Sequence, residues 1–436
     1  MQIKTLKNKG ILDLTYYVLG DLFIKGMMFI TLPLLTIFLT PAEYGTLSIL
    51  TTMITFFAVL FSVNIENSVN NYYMRNGEDF GGFLYSNIIF IIFFQLIVFS
   101  VFYLLSSEIS DFFKVKKIDS ILVGIICTVI FYYNLYMLYL QGAKKSRDFS
   151  LINVFNKLLE IGLLLLLAWE ITNNKYLSKI YAQLVAISIF LPYILFKLKN
   201  LCSFNFKFSY VKYSLAFSIP LIPHVLSNTI LSQSDRVMIN LMIGEKETGL
   251  YSFAYNLGLS MAVVISAWNS MWQPRFYELY NKKDFDEING LISFYSKIIS
   301  AIGVLTILIT GPIVKIFVSP DYYGSLKIIP IIIASNALFF QYYLYVNYTF
   351  YHRKSLIISS STLVAALVNL SLNYFLIPKW GVEGAAYATL IAYFILAIIH
   401  YLNAKKVSTD KVISLSLAFK WSIPIYFTAI IVAWMS

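Results

Sequence analysis

Asp235 and Arg236 stand side by side inside an apolar stretch long enough to cross a bilayer. An ionisable side chain within a membrane span is costly unless it faces a partner or a wet cavity. Such residues therefore mark ion or substrate pathways. At about 100° per residue, His224, Asn228, Ser232 and Asp235 share one helix face. Pro220 and Pro223 precede this stripe, where they bend the helix. A polar stripe on a bent membrane helix reads as the wall of a water-filled pathway. Arg236 is turned about 100° from Asp235, so the two reach for different partners.

Four other spans carry polar groups. Tyr17, Asp21 and Lys25 share a face of the first helix, with Asp21 and Lys25 paired at i,i+4 near mid-bilayer. Asn153, Lys157 and Glu160 share a face of the fifth. The second ends in Asn64, Asn67, Asn70 and Asn71, with Glu66 among them. Each ion pair either neutralises itself and glues helices, or serves a substrate. The candidates for a substrate cavity are Lys25, Lys157, Arg236, Asp21, Glu160, Asp235 and Asn228. Glu66 and Asp235 are the candidates for ion coupling, and Glu66 also reads as a snorkelling side chain. Asn369 and Asn373, one turn apart, read as interhelical hydrogen bonders. No residue reads as catalytic. Cys127 and Cys202 lie far apart, one in a span and one in a loop, which gives neither a disulfide nor a metal site. No cofactor motif is present.

These groups need helices to hold them in the membrane. Hydrophobic residues make up 59% of the 436-residue chain and charged ones 13%, beyond the ~45–50% apolar content of soluble domains. The mean hydropathy is +0.73. The fold class is an all-α integral membrane protein. Twelve spans are predicted, roughly at 11–39, 44–69, 83–105, 120–142, 151–169, 179–196, 214–243, 249–272, 291–318, 327–351, 355–377 and 383–403. A segment at 413–435, interrupted by Lys420 and Pro424, is a thirteenth span or an interfacial helix. The first apolar run, about 28 residues, is too long for a signal peptide and reads as a permanent helix.

With the N-terminus in the cytoplasm, the inside segments hold about 19 Lys and Arg, the outside loops about 6. This bias accounts for the net charge of +11 without nucleic acid. The loops are short, and no GxxxxGK[ST] phosphate loop occurs.

The chain also repeats itself. TPAEYGTLS at 40–48 and GEKETGLYS at 244–252 each place a glutamate two positions before a glycine, Glu43 with Gly45 and Glu247 with Gly249. Basic turns at 142–150 and 352–360 correspond likewise. Six helices thus appear twice in the same orientation, offset by about 205–210 residues, a transporter architecture with pseudo-two-fold symmetry. The expected domains are 1–205 and 206–405, each a six-helix bundle. A basic linker and extra hydrophobic segment follow at 406–436.

Three segments carry a family resemblance: SIPLIPHVLSNTILSQSDRVMINLMIGEKETGLYSFAYNLG from Ser218, VNLSLNYFLIPKWGVEGAAYATLIAY at 368–393, and TPAEYGTLSIL from Thr40. Together they resemble bacterial polysaccharide flippases of the Wzx type, in the multidrug/oligosaccharidyl-lipid/polysaccharide exporter superfamily. The resemblance spans about 10–403. It implies two six-helix bundles forming a V around a central cavity. It implies alternating-access transfer of undecaprenyl-diphosphate-linked oligosaccharide (O-antigen, capsule or exopolysaccharide units) across the cytoplasmic membrane. The implied surroundings are membrane lipids, a polysaccharide polymerase and a chain-length regulator. It also implies a cationic cavity, for which Lys25, Lys157 and Arg236 are the candidates here. A cation antiporter of the same superfamily would want an acidic, aromatic cavity. A polymerase or glycosyltransferase would want a large or acidic outside loop. The chain is therefore read as a transporter, not an enzyme.

Overall fold

The computed structural model describes residues 20, 23–27, 29–75 and 77–435. Every regular element among them is helical. The first elements are α1 (Phe23–Phe38), α2 (Pro41–Ser62), α3 (Ile65–Met74), α4 (Phe80–Leu104) and α5 (Ser106–Phe113). Next come α6 (Lys117–Gly142), α7 (Ser146–Glu170), α8 (Tyr176–Leu201), α9 (Phe208–Ser218) and α10 (Ile222–Met242). Then follow α11 (Glu245–Lys282), α12 (Phe285–Phe317), α13 (Ile329–Ala337) and α14 (Phe339–Tyr351). The last are α15 (Ser355–Val407), α16 (Leu415–Lys420) and α17 (Ile423–Met435). Among the described residues, 11 helical segments are long and apolar enough to cross a membrane, and Leu415–Met435 is one of them. The chain is a multi-pass membrane protein.

Several breaks refine the predicted spans. The continuous helix expected at 44–69 is interrupted at Val63 (φ 47°) and Asn64 (φ 61°). Valine rarely adopts positive φ, so the surroundings must hold it there. Side chains supply what the break removes. Gln95 Nε2 donates to Phe61 O (3.4 Å), Ser218 Oγ donates to Asn64 O (3.0 Å), and Asn64 N donates to Ser62 Oγ (3.0 Å). Irregular backbone at membrane depth survives only with such replacement. Between α9 and α10, Pro220 sits in a single 3₁₀ turn, Ile219–Leu221, and Pro223 opens the helix beyond it. The 53 residues of α15 would extend about 80 Å if straight, far beyond a ~30 Å hydrocarbon core. They fold back at Gly381 (φ 58°), and Asn369 Nδ2 reaches Thr389 Oγ1 at 3.5 Å. The spans expected at 355–377 and 383–403 are thus the two arms of α15.

The chain divides into two compact units. One comprises Ile49–Leu226 with the described residues up to Thr31, and the other Leu32–Ser48 with Ser227–Ser436. The core of the first gathers Ile65, Val69, Phe83, Ile91, Phe131 and Leu140. The second packs Leu231, Leu338 and Leu396 against Ala365, Ala366 and Ala392. Small side chains let membrane helices approach closely. Large apolar residues such as Leu96, Ile97 and Trp434 stay exposed, as lipid-facing side chains do.

The repeat has structural counterparts. Asp79 caps α4 by accepting from Gly82 N (3.0 Å), and Asp284 caps α12 by accepting from Glu287 N (3.0 Å). In each unit, the segment after the sixth repeat helix is tied to this turn. Ser203 Oγ donates to Asp79 (3.1 Å), and Lys207 Nζ lies 3.3 Å from it. Lys283 Nζ lies 3.3 Å from Asp410. The Gly82 N–H, aided by Ser203, Lys207 and Tyr210, holds the Asp79 carboxyl below the usual carboxylate range.

The two glutamate–glycine turns meet inside the second unit. Thr40 and Glu43 form a reciprocal cap at the start of α2, with Thr40 N to Glu43 Oε2 at 3.1 Å and Glu43 N to Thr40 Oγ1 at 3.3 Å. Ser252 Oγ donates to Ser48 Oγ (2.7 Å), and Asn256 Nδ2 donates to Tyr44 OH (2.8 Å). A Cβ on Gly45 would fall 1.9 Å from Glu245 O, and one on Gly249 1.7 Å from Pro41 O. These are backbone atoms, which cannot swing aside. Gly45→Ala and Gly249→Ala should each destabilise the protein by roughly 1–3 kcal/mol or more in chemical unfolding in detergent. Gly290→Ala, where no atom lies within 4 Å, should be neutral or slightly stabilising. Equal effects at all three positions would contradict the close crossing.

Candidate functional site

In the second unit, α10, α11 and both arms of α15 converge on Asp235. The carboxylate is fully buried. Tyr251 OH from α11 donates to Oδ2, and Arg236 N donates to Oδ1 at 3.2 Å. Thr389 Oγ1 lies 3.3 Å from Oδ2 and 3.0 Å from Ala385 O. A hydroxyl carries one proton, so Thr389 serves one of these acceptors at a time. Asn373 Nδ2 donates to Asn369 Oδ1 (3.0 Å), which also lies 3.4 Å from Ser234 Oγ. Asn373 Oδ1 is buried without a hydrogen-bond partner. The cluster is rich in oxygen and carries one carboxylate. Chemically it is suited to a proton or a small hard cation.

The predicted stripe changes character along its length. Asn228 is exposed while Asp235 is enclosed, because Tyr251 and Thr389 close over the later turn. Arg236 turns elsewhere. Its guanidinium donates to Ser232 O (2.8 Å) and to Gln233 Oε1, and lies 4.4 Å from the Tyr255 ring centroid. It is 4% exposed, so it acts within the protein's own packing in this structure.

The first unit holds a second cluster. Glu160 on α7 pairs with Lys157 at 3.1 Å and also with Lys179 of α8. Two lysine side chains thus share one carboxylate inside the spans. With both lysines protonated, the group would carry a net positive charge suited to an anionic ligand. Lys179 escaped the sequence reading because it stands at the predicted start of its span. Its signal was depth: Glu160 and Lys179 flank the 171–175 turn, and a lysine stem covers the difference in height. Asn153 accepts from Tyr133 OH (3.0 Å) and donates to Phe149 O (2.9 Å), packing α7 on α6. Lys25 is half-buried on α1. Asp21 and Tyr17 lie outside the described residues. Glu66 lies in the first turn of α3, just past the break, where a helix N-terminus favours negative charge. Ser62 Oγ donates to Glu66 Oε1 (3.3 Å), and Oε2 is buried without a partner.

Residues 12–280 match the model of a family described as "Polysaccharide biosynthesis protein". The chain belongs to that family. Lsg locus protein 1 of Haemophilus influenzae is 24% identical over 405 residues, covering 88% of this chain and 96% of that one. An uncharacterised membrane protein of the same species is 22% identical over 379 residues, covering 82% and 88%. The fold is similar to that of the lipid II flippase MurJ in an inward closed conformation, with TM-score 0.72 and 16% identity over 98% and 97% of the two chains. An inward-facing multidrug-resistance MATE transporter shares it at TM-score 0.62 and 12% identity, over 90% and 94%.

The triad makes a direct stability prediction. Glu160→Leu should destabilise the protein by about 3 kcal/mol, because it strands two half-buried lysines. Adding Lys157→Leu and Lys179→Leu should recover most of the loss in the same unfolding assay. No recovery would show that the three side chains are not one electrostatic unit.

Proposed function

We propose that this protein is a flippase for a diphosphate-linked lipid oligosaccharide in the bacterial cytoplasmic membrane. The glycan unit moves from the inner to the outer leaflet, and the N-terminus lies in the cytoplasm. The observation that carries this reading is the surplus cation of Lys157, Glu160 and Lys179 within the spans of a polysaccharide-biosynthesis chain. A diphosphate headgroup brings negative charge into a low-dielectric region, and its glycan brings hydroxyls that need partners. Spread cations bind such a headgroup loosely enough to release it. Lys25, on the first helix of the same unit, is assigned to the same pathway with Asp21, and Asn228 offers an exposed amide.

Asp235 and Glu66 are the coupling groups in this reading. Each is a carboxylate beside neutral oxygen groups, so binding a proton or a monovalent cation removes a buried charge. Arg236 acts as a positioning residue, locking α10 against Tyr255 so that Asp235 meets Tyr251 and Thr389.

Deletion should make lipid-linked oligosaccharide accumulate on the cytoplasmic side while the surface glycan disappears. The Lys157→Gln, Glu160→Gln, Lys179→Gln triple variant should reach the membrane at native levels yet export at least about tenfold less glycan. Asp235→Asn should also lower export, whereas Arg236→Lys should keep part of it. Normal surface glycan in the deletion strain, or loss of drug resistance as its sole defect, would replace this reading with that of a cation antiporter.

A further inference from the structure

The C-terminal segment takes no part in either cluster, yet it builds a site of its own. α17 packs along α12, and between them runs an open groove of ≈ 590 Å³ lined by Lys297, Ala301, Leu305, Leu308, Trp421 and Pro424. Lys297 Nζ lies 4.8 Å from the Trp421 ring centroid, and Lys420 Nζ lies 5.5 Å from the same ring. Both lysines are exposed. Neither forms a salt bridge among the described residues.

The depth of these groups follows from the sequence. Between Lys297 and Lys315, α12 carries no charge, a run of about 25 Å at about 1.5 Å per residue. That nearly matches a hydrocarbon core of about 30 Å, so Lys297 stands at one of its edges. Lys420 likewise precedes the apolar run of α17, and tryptophan favours this interfacial depth. Ala301, Leu305 and Leu308 continue from Lys297 into the hydrocarbon. The groove therefore has a cationic mouth at headgroup level and an apolar floor beneath it.

We propose that this groove binds an anionic phospholipid of the surrounding bilayer. Its phosphate sits between Lys297 and Lys420, and one acyl chain lies along Ala301–Leu308. Charge complementarity selects the occupant: two cations, with no carboxylate among the residues lining the groove, favour a net-negative headgroup over a zwitterionic one. The bound lipid fastens the C-terminal helix to α12. The site stands apart from the transport reading, since none of its residues belongs to the Asp235 or Glu160 clusters.

The test uses the purified full chain in mixed micelles with phosphatidylglycerol or phosphatidylcholine, and measures the lipid retained after gel filtration. The native chain should retain phosphatidylglycerol roughly tenfold or more over phosphatidylcholine, as two interfacial lysines predict. Lys297→Gln with Lys420→Gln should abolish the preference, and Lys297→Arg with Lys420→Arg should keep it. Raising salt from about 0.05 to about 0.5 M should weaken the preference of the native chain, a readout that needs no variant. Equal retention of both lipids by the native chain overturns the proposal. So does a preference that survives the double glutamine change or the higher salt.

Discussion

A polar group in hydrocarbon has no water to turn to, and most of the distinctive features of this chain follow from that constraint. Where α2 ends at Val63 and Asn64, the freed backbone groups are met by Ser62, Gln95 and Ser218. Where Asp235 is buried, two hydroxyls and a backbone N–H surround it. Where Glu160 is buried, two lysines share it. Each arrangement ties together elements distant in sequence. The polar groups therefore fix helix packing more specifically than the interchangeable apolar contacts with lipid.

The same constraint shapes the chemistry. Glu160 is shared by two lysines, while Asp235 is held by two hydroxyls and a backbone N–H with the Arg236 charge beside it. In the proposed reading the first serves an anionic headgroup and the second a proton or small cation. The duplicated architecture supplies equivalent scaffolds, visible in the matching caps of Asp79 and Asp284 and in the contact of Gly45 with Glu245.

Much of the fold was legible because bilayer thickness leaves a strong mark on sequence. Span positions, including the gap between 377 and 383, and the duplicated turns at Gly45 and Gly249 could be read from apolar length and repetition. The family resemblance agrees with the match over residues 12–280. The break at Val63 was hidden because apolar residues continue through it, and only tertiary hydrogen bonds hold it. The site was half legible. Asp235, Arg236, Lys157 and Glu160 stood out as charges in apolar runs. Tyr251 and Thr389 did not, since hydroxyls are ordinary in membrane helices and their role depends on partners 16 and 154 residues away.

The central claim is that this chain carries a diphosphate-linked glycan lipid across a bilayer with the help of the Lys157–Glu160–Lys179 charge. The most direct measurement places the purified chain in sealed vesicles, loads the lipid-linked oligosaccharide into one leaflet, and follows its exposure in the other with a membrane-impermeant lectin. The native chain should expose the glycan within minutes, and the triple neutral variant should do so far more slowly in vesicles holding equal protein. Exposure no faster than in protein-free vesicles, or equal rates for the native and triple-neutral proteins, would contradict the account.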